Sequence, residues 1–316
     1  MKKLLTVISA ALMASALLTS CTKSESVKKV GVIQLVQHSA LDASYNGFVD
    51  QLKARGFEDG KNIKIDYQNA SGEQSNCVTI ANQLVSEKSD LILAIATPAA
   101  QAVANATESI PVLVTAVTDP AAANLVDSNE APGRNVSGTS DLTPCAAQID
   151  LIKTLYPEAS HIAIMYCSSE ENSVIQANLA IAECEKIGLT YEVATVSNTN
   201  EIQQVTQSLV GKVDAIYIPT DNMLASSMAT VGMITTEAKI PVICGEDGMT
   251  QAGGLATYGI NYYELGKLTG DMAADILEGK ADVATMPIQY LQHFDFTYNA
   301  DTAAALGLEI PSELLN

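Results

Sequence analysis

The stretch "DLILAIATPAA", Asp90 to Ala100, decides the fold of this chain. After an aspartate comes an unbroken apolar run, which stops at Thr97 and Pro98 and passes into alanines. A run this short with no polar alternation reads as a strand buried on both faces, and the proline suits the first turn of a helix that follows it. A buried strand emptying directly into a helix is the repeating unit of a parallel α/β sheet.

The same unit recurs on either side. Upstream stand "VGVIQLV" (30–36), a helix near 42–55 stopped by Gly56, "NIKIDYQ" (62–68) and a helix near 74–87; downstream of the helix near 98–107 come "PVLVTAV" (111–117) and "NVSGTS" (135–140). Then the order restarts. "HIAIMY" (161–166) leads to a helix near 171–187 stopped by Gly188, "TYEVATV" (190–196), a helix near 199–210, "DAIYIP" (214–219), a helix near 223–237, "PVICGE" (241–246) and "LATYGI" (255–260). Asp90-Leu-Ile-Leu aligns with Asp214-Ala-Ile-Tyr, and Ile110-Pro-Val-Leu with Ile240-Pro-Val-Ile, at offsets of 124 and 130 residues. A duplicated domain explains both anchors. The expected architecture is two doubly wound, Rossmann-like lobes with parallel sheets. A helix near 262–279 and a late strand near 288–297 follow the second copy, so the chain crosses between lobes repeatedly and makes a multi-strand hinge. The expected division is 29–140 with about 262–290 in the N-lobe, and 141–261 with about 291–316 in the C-lobe.

The chain begins with Lys2 and Lys3, an apolar segment from Leu4 to Leu18, and Leu18-Thr19-Ser20-Cys21. This order reads as an export signal over 1–20, cut before a cysteine. Its last four residues resemble the lipobox of bacterial lipoproteins, which implies lipidation at Cys21 and a polar tether over 21–28. The expected address is the outer face of the bacterial cytoplasmic membrane, or the periplasm.

Without the two lysines of residues 1–20 the chain carries 15 basic and 36 acidic residues, a net charge of −21. Such a surface repels nucleic acid, so no nucleic-acid partner is expected. With Arg55 and Arg134 the only arginines, a clamp for a strongly anionic ligand is not expected either. The five cysteines after Cys21 are odd in number and lack zinc spacing, so they read as free, buried thiols, with no metal or cofactor.

Ligands of doubly wound sheets bind at the carboxyl ends of strands, and two facing sets of strand ends enclose a cleft. Those junctions carry Gln37 and His38; Thr97 and Ala99; Thr118 and Asp119; Ser140 and Asp141; Tyr166, Glu170 and Asn172; Asp221 and Asn222; and Asp247. They are hydroxyls, amides and carboxylates, with almost no cation. A helix opening at Pro98 offers free amides which, with Thr97 and Ser140, suit a carboxylate; Thr97 reads equally as a helix N-cap. Asp221, Asn222 and Asp247 suit an ammonium group, and each aspartate reads equally as a cap or turn residue. Together they describe a zwitterion such as an amino acid. Tyr45, Tyr166 and Tyr258 lie near junctions and could stack on it or pack in the core. GxSxG, HExxH, GxxxxGK[ST] and GxGxxG are missing, which agrees with binding rather than catalysis.

These residues resemble the extracytoplasmic solute-binding lipoproteins of ABC transporters related to tryptophan and tyrosine uptake. The resemblance covers essentially the whole mature chain and rests on "HSALDASYNGF" (38–48), "LILAIATPAAQA" (91–102), "VTAVTDP" (114–120), "NVSGTSDLTP" (135–144), "YCSSEENS" (166–173), "VDAIYIPTDNM" (213–223) and "GGLATYGINYYELG" (253–266). It implies a type I periplasmic-binding-protein fold, a monomer that closes on an amino acid, often aromatic, and delivers it to a membrane permease. The sequence departs from the family at Ser39, where proline is usual, and at Cys167 and Ser168, where asparagine and proline are usual. A sugar or nucleoside binder on the same fold, or a ligand sensor for a signalling partner, are the competing readings.

Overall fold

The structure, a computed structural model, describes residues 27–315. The export signal, Cys21 and the tether up to Ser26 lie outside those residues. The first lobe contains β1 (Lys28–Gln34), α1 (Ser39–Ala54), β2 (Ile63–Asn69), α2 (Gln74–Ser86), β3 (Leu91–Ile95), α3 (Thr97–Ala106), β4 (Val112–Val117) and β5 (Val136–Ser140). After α4 (Cys145–Leu155), the second lobe runs through β6 (His161–Cys167), α5 (Glu171–Ile187), β7 (Thr190–Val196), α6 (Ile202–Leu209) and β8 (Ala215–Ile218). It continues with α7 (Asn222–Ser226), α8 (Met228–Glu237), β9 (Val242–Cys244), α9 (Asp247–Gln251) and β10 (Ala256–Gly259). The chain then makes α10 (Tyr262–Leu277), β11 (Gln289–Tyr290), β12 (Asp295–Tyr298) and α11 (Ala300–Leu306).

The sheets have the same strand order, β11-β5-β4-β3-β1-β2 and β12-β10-β9-β8-β6-β7. Every strand pair is parallel except β10 with β12. Two expectations are corrected here. The single late strand near 288–297 is two short strands, one in each sheet, and the second sheet is not wholly parallel. Both follow from the route of the chain. It leaves β11 at the hinge end and meets the second sheet where β10 finishes, so β12 must run back against it, pairing Asp295 with Gly259 and Tyr298 with Ala256.

Burial explains the unbroken apolar runs. All of β3, β4, β5 and β8 is buried, because helices cover both sheet faces. Successive residues feed opposite layers: Ala215 and Tyr217 join one core of the second lobe, Ile216 and Ile218 the other. The first lobe has one core, running from Val30 to Val136 and resuming from Ile260 to Ile288. The resumed part is largely α10, which lies against α1. A Cβ on Gly47 would stand 2.0 Å from the Tyr263 carbonyl oxygen, and one on Gly266 would stand 2.0 Å from that of Ser44. Only glycine permits the two helix backbones to approach so closely. The helix α5 ends at Gly188 in the left-handed region, φ +73°, as its sequence predicts.

The lobes are joined by the passages from β5 to α4, from β10 to α10 and from β11 to β12. All start at the carboxyl ends of strands, so both sets of strand ends face the same gap. Cys77, Cys145, Cys167, Cys184 and Cys244 are free and buried. Desolvation pushes the thiols of the first four up to about 11 and that of Cys244 further still.

Candidate functional site

A narrow cavity, with about 10 Å³ of space for a water-sized sphere, lies between the lobes, at the strand ends. The first lobe contributes His38 after β1, Leu41 in α1, Ala116 and Thr118 around the end of β4, and Asp141 after β5. The second contributes Asn172 from α5, Thr220, Asp221, Asn222 and Ala225 after β8, and Glu246 after β9; Tyr262, at the start of α10, completes the wall. Ala116 sits at a break in the β4–β5 register between Val114 and Val117, with φ +53°. A left-handed alanine in a strand is strained, and here it coincides with the cavity wall.

Direct hydrogen bonds span the gap. His38 Nε2 lies 3.3 Å from Asn222 Oδ1, and Gln176 Nε2 donates to Thr118 Oγ1 at 2.9 Å while also donating to Thr220 Oγ1. Asn172 and Gln176 are four residues apart on α5 and so share a face. Nearer the surface, Gln101 donates to Glu171 at 2.8 Å and Gln74 to the Ser169 carbonyl at 2.9 Å.

The cavity wall holds three carboxylates, Asp141, Asp221 and Glu246, and neither lysine nor arginine. Most of their oxygens are already committed. Asp221 caps α7, accepting from Leu224 N at 2.8 Å and Cys167 N at 2.6 Å. Glu246 caps α9, accepting from Gly248 N at 2.6 Å and Met249 N at 2.7 Å. Behind the wall, Glu170 accepts from Met223 N at 3.0 Å and from the amide groups of Asn222. Asp141 differs: its Oδ2 accepts from the Tyr262 hydroxyl at 2.8 Å, while Oδ1 is buried with no partner. Two further acceptors on the wall, Asn172 Oδ1 and His38 Nδ1, are also buried without partners.

Burial without a cation makes these charges costly. Desolvation raises Asp141 to about 6 against the opposing Tyr262 and Thr118 hydroxyls and its own backbone N–H, and raises Glu246 to about 7 against its helix amides. Glu170 and Asp221 both move upward, chiefly by desolvation, and Asp221 pushes Glu170 further. Burial lowers His38 to about 4, so the ring is neutral.

Of the residues expected at the ligand, His38, Thr118, Asp141, Asn172, Asp221 and Asn222 line this cavity. Several are elsewhere. Gln37 is exposed, and Ala99 is buried inside α3. Thr97 is the first residue of α3 rather than its N-cap, which is Ala96 at φ +81°; its Oγ1 is buried without a partner, off the cavity wall. Asp119 is a turn residue, its Oδ1 accepting from Ala121 N, Ala122 N and Asn129. Ser140 bonds the Thr118 carbonyl at 2.6 Å, and Tyr166 packs on the second-lobe core. Asp247 lines a separate groove on the hinge side and accepts from Gln251. The expected split, donors on one lobe and acceptors on the other, is therefore corrected: bare acceptors come from both lobes. The junction reading took in Thr220 and Glu246 without singling either out, and it passed over Ala225, Tyr262 and Gln176; Gln176 lies mid-helix, where no junction signal marks it. Among the described residues no group of His, Cys, Asp and Glu is arranged to hold a metal ion, and no helix is long and apolar enough to cross a membrane.

A family model described as ABC transporter substrate binding protein matches residues 29–316. The tyrosine-binding protein of Clostridioides difficile (strain R20291) is 42% identical over 322 residues, 98% of this chain and 93% of that protein. An ABC domain in complex with L-Trp from Streptococcus pneumonia is 41% identical with a TM-score of 0.88, over 92% of this chain and 98% of that one. The ligand-free, open structure of a substrate binding protein with adhesive properties from Clostridium difficile is 48% identical, over 90% of this chain and 97% of that one, yet its TM-score is 0.70. The superposition is thus better on the L-Trp complex than on the open form, although the identity is greater with the latter.

Proposed function

This chain belongs to the ABC transporter substrate-binding proteins, and from that premise we propose that its lobes close over a free aromatic amino acid and deliver it to a membrane permease. The observation that carries the reading is Asp141 Oδ1. It is the carboxylate oxygen without a hydrogen-bond partner in a cavity lined by three acidic side chains and neither lysine nor arginine. An ammonium group supplies what that oxygen lacks, and a charge-assisted bond there relieves the burial that raises Asp141. Asn172 Oδ1 is a second acceptor for the same group. The amine is thus assigned to Asp141 rather than to Asp221 and Asp247. On the opposing side, Thr220 already accepts from Gln176 through its oxygen and keeps its hydroxyl hydrogen for a ligand carboxylate. Ala116, Ala225 and Leu41 give the same wall its small and apolar side chains.

The tyrosine-binding and L-Trp-bound relatives support an aromatic ligand. The chain is read as a carrier and not a catalyst, anchored through lipidated Cys21 outside the cytoplasmic membrane and monomeric. Replacing Cys21 with serine should release it from membranes, and the ligand should be recovered unchanged. A thermal-shift screen of amino acids, sugars and nucleosides tests the function: a ligand at 100 times its dissociation constant stabilises by about 2.7 kcal/mol. Stabilisation by L-tyrosine or L-tryptophan is expected. Stabilisation by a sugar or nucleoside, with none by any amino acid, overturns the proposal.

A further inference from the structure

The cavity has two differently equipped ends. Glu246 and Tyr262, which also border the groove on the hinge side, flank the end where Asp141 offers its bare oxygen. Asn222, which also borders the groove at the opposite mouth, marks the end where His38 stands. At that second end the carboxylates of Glu170 and Asp221 are engaged by backbone amides and by Asn222.

A hydrogen-bond chain settles what His38 presents. Glu170 takes the Asn222 amide nitrogen as donor, which turns Asn222 Oδ1 toward His38. An amide oxygen accepts, so His38 must carry its proton on Nε2. Nδ1 is left as a bare acceptor, buried and without a partner in the protein. Asp42, the charged neighbour on α1, is engaged by the side chain of Gln34 at 2.7 Å. A buried acceptor left unpaired is costly, and a ligand group that donates to it removes the cost.

We propose that His38 Nδ1 selects ligands whose side chain carries a hydrogen-bond donor, a phenolic hydroxyl or an indole N–H, against isosteres that lack one. The inference rests on the amino-acid reading above, with the ammonium at Asp141. It makes His38 a specificity residue and the Glu170–Asn222 pair the positioning device that fixes its tautomer.

Isothermal titration of L-tyrosine against L-phenylalanine, and of L-tryptophan against its benzothienyl analogue, tests it. The donor-bearing member of each bound pair should be preferred by roughly tenfold or more. His38→Gln keeps a donor near the Nε2 position for Asn222 but has nothing in place of Nδ1, so the preference should collapse toward parity. His38→Asn places an amide near Nδ1 and loses the bridge to Asn222, so affinities should fall while the preference survives. Equal wild-type affinities within a pair, or a preference unchanged in His38→Gln, overturn the inference and leave the carrier function standing. If no amino acid binds at all, the function proposed above fails and this inference with it.

Discussion

Replacing Asp141 with asparagine should make the ligand-free protein more stable and the binding worse. The carboxyl is buried and stands at about 6 rather than 3.8, so ionising it opposes folding by about 3 kcal/mol once complete. A raised acid holds its proton longer when folded. Its contribution to stability is therefore whole below pH 3.8 and lost as pH climbs through about 6. Asparagine keeps an oxygen for the Tyr262 hydroxyl, removes the ionisation, and turns an N–H group toward the place assigned to the ammonium. At pH 8 the ligand-free variant should melt higher than wild type, and the gap should close toward pH 4. Its affinity should drop at least tenfold, since a charge-assisted hydrogen bond contributes about 1.5–3 kcal/mol. Scanning calorimetry across that pH range and titration calorimetry at pH 8 read the two effects separately. A variant that is no more stable than wild type at pH 8 and binds as tightly refutes the assignment of Asp141.

Ligand uptake should release protons between pH 6 and 7, where Asp141 and Glu246 titrate at about 6 and about 7, because a bound cation favours their ionised forms; affinity should rise with pH across that window. Titrations in buffers of different ionisation enthalpy measure the release, and proton uptake would contradict it. Gln176→Leu removes the donor shared by Thr118 and Thr220, so dissociation should quicken by roughly tenfold with little change in association, as stopped-flow fluorescence would record. Gly47→Ala and Gly266→Ala each force a methyl to within 2.0 Å of a facing carbonyl oxygen and should cost about 2 kcal/mol or more in urea unfolding.

The strands of both lobes were legible because burial on two faces leaves apolar runs with no alternation, and the duplication because each run sits between helices of similar length. The helix over Cys145–Leu155 was not read, since nothing in "CAAQIDLIKTL" marks its start. The late strand was read as one because "IQYLQHFDFTY" gives no sign of where the chain changes sheets. Junction loops pointed to the correct ends of the sheets, yet could not rank their own members. A carboxylate that caps a helix and one that meets a ligand have the same sequence signature. Asp221, Glu246 and Asp119 are all committed to backbone amides, and only three-dimensional accounting of each oxygen singles out Asp141. Thr97 misled for a related reason: Ala96 takes the cap position in a left-handed conformation that composition does not disclose.

The helix α10 and the strand β11 belong to the first sheet's layers, yet the ribosome makes them after every strand of the second sheet except β12. Until they emerge, Gly47 and Ser44 have no neighbour to meet and β5 keeps a bare edge. No single cut in the gene yields an intact half, so the two halves mature together.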